Sequence, residues 1–120
     1  MAFVTAAPIM LRQDYIKRVI EELASALARV SGLKASSPAE KLEVIQQAKQ
    51  ALPIVPGLLE SGPVSRIAAS LAEPELIRQL AELYRLESEQ HKALENTAEA
   101  VRSMKRSLAL FEAVQRDQEL

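Results

Sequence analysis

The stretch PELIRQLAELYRLESEQHKALENTAEAVRSMKRSLALFEAVQ, residues 74–115, decides the fold. After Pro74 it holds neither proline nor glycine. As one helix it would run about 60 Å, at ~1.5 Å per residue. Its polar break at Glu95-Asn96-Thr97 predicts two helices instead, because Asn96-Thr97-Ala98-Glu99 has the spacing of a capping box. The first helix carries Ile77, Leu80, Leu83 and Tyr84 on one face. The second carries Val101, Met104, Leu108, Phe111 and Val114 at helical spacing. Two antiparallel helices joined by a short loop would bury these stripes against each other. Residues 116–120 are polar and predict a frayed tail.

Working towards the N-terminus, Val64 to Ala72 predicts a short helix with Val64, Ile67, Ala68 and Leu71 inward and Pro63 in its first turn. Residues 53–63 (PIVPGLLESGP) hold three prolines and two glycines, yet Ile54, Val55, Leu58 and Leu59 are too apolar for a solvated linker. They predict a packed connection with one helical turn near Leu58. Ser37-Pro38-Ala39-Glu40 is a capping box with proline at the first helical position. The helix it opens turns Leu42, Ile45, Ala48 and Leu52 inward and stops at Pro53. Before it, Ile16, Val19, Ile20, Leu23, Leu27 and Val30 form one stripe of a helix from about Ile9 to Ser31. Gly32 is placed to end that helix, with Leu33 folding back over its last turn. The opening MAFVTAAPIML lacks a basic segment before its apolar residues, so residues 1–9 read as a loosely docked extension rather than a signal peptide.

The expected architecture is all-α. About five helices, one of them short, pack as helical hairpins in a single domain over residues 10–115. With 120 residues, about two-thirds of the unfolded surface can be buried. Apolar residues at 48% and charged residues at 26% argue against disorder. Three glycines and 3% aromatics argue against a β-sandwich or barrel. The absence of cysteine removes disulfides and thiolate chemistry. No apolar run is long enough for a transmembrane helix. Fifteen basic and sixteen acidic residues give a net charge of −1, without the cationic excess of a generic nucleic-acid binder.

The final hairpin resembles a tetratricopeptide repeat in rhythm. Tyr84 takes the large position of the first helix and Ser88 the small one. Ala100 takes the small position of the second, followed by Met104, Ser107 and Leu108. Glu87, His91 and Glu112 depart from the pattern. The run Met10-Leu11-Arg12-Gln13-Asp14-Tyr15-Ile16, the helix ending Ser31-Gly32-Leu33-Lys34 and the segment Ser107-Leu108-Ala109-Leu110-Phe111 are together similar to an uncharacterised bacterial family of short helical proteins. The resemblance covers about Met10 to Val114 and implies a bacterial all-helical protein ending in a tetratricopeptide-like hairpin. It brings no catalytic residues.

Chemistry-bearing groups are sparse. His91, the one histidine, has Glu87 and Glu95 four residues to either side, which could hold a weak divalent ion on one helix face. A packed or partly exposed histidine is the simpler reading. The acids Glu21, Glu22, Glu82, Glu87 and Glu89 read as solvated faces, because adjacent and i+2 residues point apart on a helix. Neither a nucleophile elbow nor a phosphate-binding glycine loop occurs. Arg102, Lys105 and Arg106, and likewise Arg12, Lys17 and Arg18, make short basic faces relieved by nearby glutamates.

Two surfaces are candidates for a partner. Arg12, Asp14, Tyr15 and Arg18 combine a helix-start anion, an amphipathic ring and a guanidinium fork. Leu110, Phe111 and Val114 would lie bare at the end of the last hairpin. The expected function is a non-catalytic, cytoplasmic interaction module or adaptor for a protein or peptide, with no cofactor, no nucleic acid and no membrane. The alternative is a structural homodimer joined through the stripe at 16, 20, 23, 27 and 30, which approaches a heptad seam. An enzyme or metal-dependent regulator centred on His91 is a third reading.

Overall fold

Ser37 has an extended backbone, and its Oγ accepts the Glu40 amide at 3.2 Å. Helix α2 (Pro38–Gln50) therefore starts where the serine-proline spacing places it. The computed structural model describes residues 2–32, 37–52, 54 and 56–119, with side chains over 14–32, 37–52, 54, 57–59 and 62–116. Besides α2, the described helices are α1 (Ala2–Gly32), α3 (Pro56–Ser61), α4 (Val64–Leu71), α5 (Pro74–Ala93) and α6 (Thr97–Glu119). No strand occurs among the described residues, and the all-α fold is as expected. None of these helices is long and apolar enough to cross a membrane.

Several boundaries differ from expectation. α1 begins at Ala2, so residues 2–9 are its first turns rather than an extension. α6 continues to Glu119 through the residues read as a tail. The 53–63 connection contains α3, the helical turn expected near Leu58. Leu33, Pro53 and Val55 lie outside the described residues. α5 and α6 separate at Leu94-Glu95-Asn96, where Glu95 has φ 63 and the Asn96 amide reaches the His91 carbonyl at 2.8 Å. α4 likewise ends on a left-handed residue, Ala72 at φ 61.

α5 is the hub: α1, α2, α4 and α6 all pack against it. That position explains why it buries residues on nearly every side, from Leu76, Leu80 and Leu83 to Gln79 and Gln90. From α1 come Val19, Leu23 and Val30, from α2 Ile45 and Ala48, from just past its end Leu52, and from α4 Ile67 and Leu71. The α1 stripe proposed as a dimer seam is thus spent inside the molecule, with Leu23 fully buried and Ile16, Ile20 and Leu27 packed alongside.

Of the predicted inward stripe of α6 only Val114 is fully buried, with Phe111 half-buried beside the core. Val101 and Leu108 are exposed, whereas Ala100, Ser103, Ser107, Leu110 and Val114 are buried. Small residues let the α5 and α6 backbones approach. Ser88 Oγ donates to the Ala100 carbonyl at 2.6 Å and Ser107 Oγ to the Ala81 carbonyl at 2.8 Å. These bonds satisfy hydroxyls that would otherwise be costly to bury. The serines occupy this interface, and Val101 and Leu108 lie about 100° away on the helix.

Candidate functional site

One cleft collects most of the polar chemistry of the molecule. It encloses about 230 Å³ between α2, α5 and α6, with α3 closing one side through Leu59. Its inner wall is built on Glu87, a carboxylate only 7% exposed. Glu87 Oε2 accepts from Lys49 Nζ at 2.5 Å and from Gln46 Nε2 at 3.3 Å, and Oε1 accepts from Ser103 Oγ at 2.7 Å. Two donors from α2 and a serine from α6 thus converge on one acid of α5. A buried charge persists only when paired and hydrogen-bonded in this way.

Tyr84 forms the floor. Its hydroxyl donates to the Leu59 carbonyl at 2.8 Å, tying α3 to α5. Lys49 Nζ stands 4.9 Å from the ring centroid and the Arg106 guanidinium 5.8 Å, so both cations lie within cation–π range of the ring. Arg106 Nη2 donates to the Gly62 carbonyl at 3.0 Å, which anchors the segment between α3 and α4 to α6. Gly62 suits that place because a Cβ there would stand 2.6 Å from the Leu58 carbonyl oxygen.

The mouth is wetter. Arg102 and Glu99 approach to 3.9 Å with both side chains about half exposed, a geometry of little energetic weight. His91 is half-buried, and its Nδ1 lies 3.5 Å from Asn96 Nδ2. The carboxylate–histidine face envisaged around His91 does not form. Glu87 is committed to Lys49 and Ser103, and Glu95 sits beyond the end of α5. Among the described residues no group of three or more histidines and acids could hold a metal ion.

Glu87 was read as part of a solvated face, and the structure corrects this. Lys49 was not singled out at all, although it is 4% exposed. A signal was present. Lys49 follows Ile45 by four residues and Glu87 follows Leu83 by four, so each charge sits within a core stripe. Opposite charges at two core positions point to each other. By contrast, Glu82 and Glu89 are surface acids gripping Arg85, at 2.9 Å and 2.7 Å. The hydrogen bond from Glu82 raises the Arg85 pKa above its already high ordinary value.

The predicted partner residues are scattered. Asp14, Tyr15 and Arg18 lie well inside α1, so Asp14 has no helix start to stabilise it. Tyr15 is 45% exposed, and the Arg12 side chain lies outside the described ones. Arg18 borders a shallow hollow with Glu21, Glu22, Ser25 and Arg29. Leu110 and Val114 are withdrawn as an end surface because both are core residues, sharing the interior with Ile67 and Leu71 of α4. Phe111 is half-buried beside them. α1 packs on α2 and α5 while α4 packs on α6, so the two predicted patches do not combine.

Comparison with protein-family models, with curated proteins and with solved structures finds no match to this chain. The geometry of the cleft is therefore what bears on function.

Proposed function

We propose that the protein is a non-catalytic, cytoplasmic interaction module whose α2–α5–α6 cleft takes an acidic side chain or terminal carboxylate of a peptide or protein partner. One observation carries this reading: Lys49, Arg102 and Arg106 converge with Gln46, Ser103 and His91 on a single cleft. Lys49 and Glu87 neutralise each other within the wall. Among the described lining residues, Arg102 and Arg106 add two positive charges and Glu99 one negative charge. A guanidinium presents a planar fork suited to a carboxylate. The volume suits one or two side chains and falls below the usual range for a cofactor site. Ser103 is 2% exposed and donates to Glu87, which supports a structural role over a nucleophilic one.

The test is an amide-shift titration with an acetylated Asp/Glu hexapeptide carrying a free C-terminal carboxylate. Shifts should cluster at Gln46, Lys49, Arg102, Ser103 and Arg106 and should weaken with added salt. Arg102→Ala should reduce the affinity about tenfold, the weight of one charge-assisted contact. Shifts spread evenly over the surface, or unaltered by Arg102→Ala, would remove the proposal.

A further inference from the structure

The cleft contains the chain's one histidine. Histidine is the side chain whose charge ordinarily changes between pH 5 and 8. His91 stands on the last turn of α5, half-buried, among the residues that line the cleft. Charged groups come to it from the elements on every side. α6 supplies Glu99, Arg102 and Arg106, and α2 supplies Lys49. α5 itself supplies Glu87 and Lys92, with Glu95 in the turn beyond, while α3 presents the uncharged Leu59. Glu87 is taken up by Lys49, Gln46 and Ser103, and Glu99 lies 3.9 Å from Arg102. Among the described lining residues, Lys49, Arg102 and Arg106 stand against Glu87 and Glu99, which leaves one net positive charge while the imidazole is neutral. A protonated imidazole doubles it.

We propose that His91 makes anion binding in this cleft pH-dependent: a carboxylate-bearing partner is held more tightly as the ring gains its proton and is released as the ring loses it. This regulation rests on the cleft taking such a partner. Both ring states can be accommodated. Nδ1 lies 3.5 Å from Asn96 Nδ2, a long contact at an exposed site, which suits a neutral ring accepting there. A protonated ring donates from both nitrogens, and turning the Asn96 amide over presents its oxygen instead. Carboxylates, lysines and arginines ordinarily keep their charge between pH 6 and 8, so the ring is the switching group of the cleft. An added unit charge about 6 Å from a bound carboxylate in watery surroundings is worth about threefold in affinity. Linkage sets the sign. A ligand that favours the protonated ring binds better at lower pH, and in turn it raises the pH at which the ring loses its proton.

The test titrates the full chain with the acidic hexapeptide at about pH 8 and about pH 6 in constant salt, a range over which the peptide's carboxylates stay ionised. Affinity should be about threefold higher at the lower pH. His91→Gln should bind equally at the two pH values, close to the native affinity at the higher one. Because the chain has one histidine, its ring C–H resonances are read without ambiguity. Their titration midpoint should move to higher pH when the peptide is bound. Circular dichroism of His91→Gln should match the native chain, since the side chain is half-buried at the edge of the cleft. Should the variant fail to fold, the midpoint of the native chain decides by itself. Equal binding at both pH values, a pH dependence that survives His91→Gln, or a midpoint unmoved by the peptide would each overturn the proposal and leave the cleft as a carboxylate site. No binding at either pH would overturn both.

Discussion

Lys49 and Glu87 carry opposite charges at positions where their helices otherwise place apolar side chains. Side-chain exposures of 5% and 9% put this pair in the regime where removing one partner strands the other in low dielectric. Glu87→Ala should cost roughly 3–5 kcal/mol in urea denaturation, more than any surface pair here. It also takes the acceptor from Ser103 and Gln46. Lys49→Met together with Glu87→Leu should recover most of the loss, since a well-packed apolar pair often replaces a buried ion pair without penalty. If the double variant is as unstable as Glu87→Ala, the pair is holding the cleft open rather than filling a core position. Each residue alone resembles an ordinary helix charge. Their pairing joins positions thirty-eight residues apart, and local spacing carries no information about which distant charge answers.

At the scale of elements, the α5–α6 hairpin was legible but its rotation was not. The break at Glu95-Asn96-Thr97 follows from local polarity, and the chain turns there. Hydrophobic periodicity then assigned the inward face of α6 to Val101, Met104, Leu108, Phe111 and Val114, of which Val114 is buried. Serines won that face because they permit close approach and can donate to carbonyls across the interface. Ser107 is 1% exposed. Ser107→Ala should therefore cost about 1 kcal/mol, the net worth of one buried hydrogen bond. Ser107→Leu restores the apolar residue that periodicity favours, yet it should cost about 1–3 kcal/mol through overpacking. Chemical denaturation of the two variants decides the point. A stabilised leucine variant would mean that the helices have room to separate.

Across the whole molecule, the segment between α2 and α4 packs on the core through Ile54, Leu58 and Leu59 and is also tied down by two long-range bonds. Tyr84 grips the Leu59 carbonyl from α5, and Arg106 grips the Gly62 carbonyl from α6. Both residues also line the cleft, so anchorage and binding share the same side chains. Tyr84→Phe should cost about 1 kcal/mol overall. Hydrogen exchange of the amides at Leu59 and Gly62 should quicken more than that of α5. Equal quickening everywhere would show that the segment opens only with the whole molecule. The candidate site was less legible than the fold. His91, Arg102 and Arg106 were noticed as separate features and Glu87 only as a solvated acid or a ligand beside His91, whereas Lys49 had no reading and Tyr84 only a packing one until α2 and α5 met. The α1 patch lost one of its supports for a different reason: α1 starts at Ala2, which removes the helix terminus that gave Asp14 its meaning.

Helix class, the ends of α2 and the α5–α6 turn, and the packed nature of the 53–63 connection were determined by the sequence alone. Each depends on interactions among residues a few positions apart: the Ser37 cap, the prolines at helix starts, the polar run at 95–97. Tertiary structure decided which face of α6 turns inward, which charges become buried partners, and which apolar stripe is left bare. Those outcomes follow from how closely two backbones can approach and from which polar groups find a partner there. Such terms arise only between elements, so no helix carries them by itself.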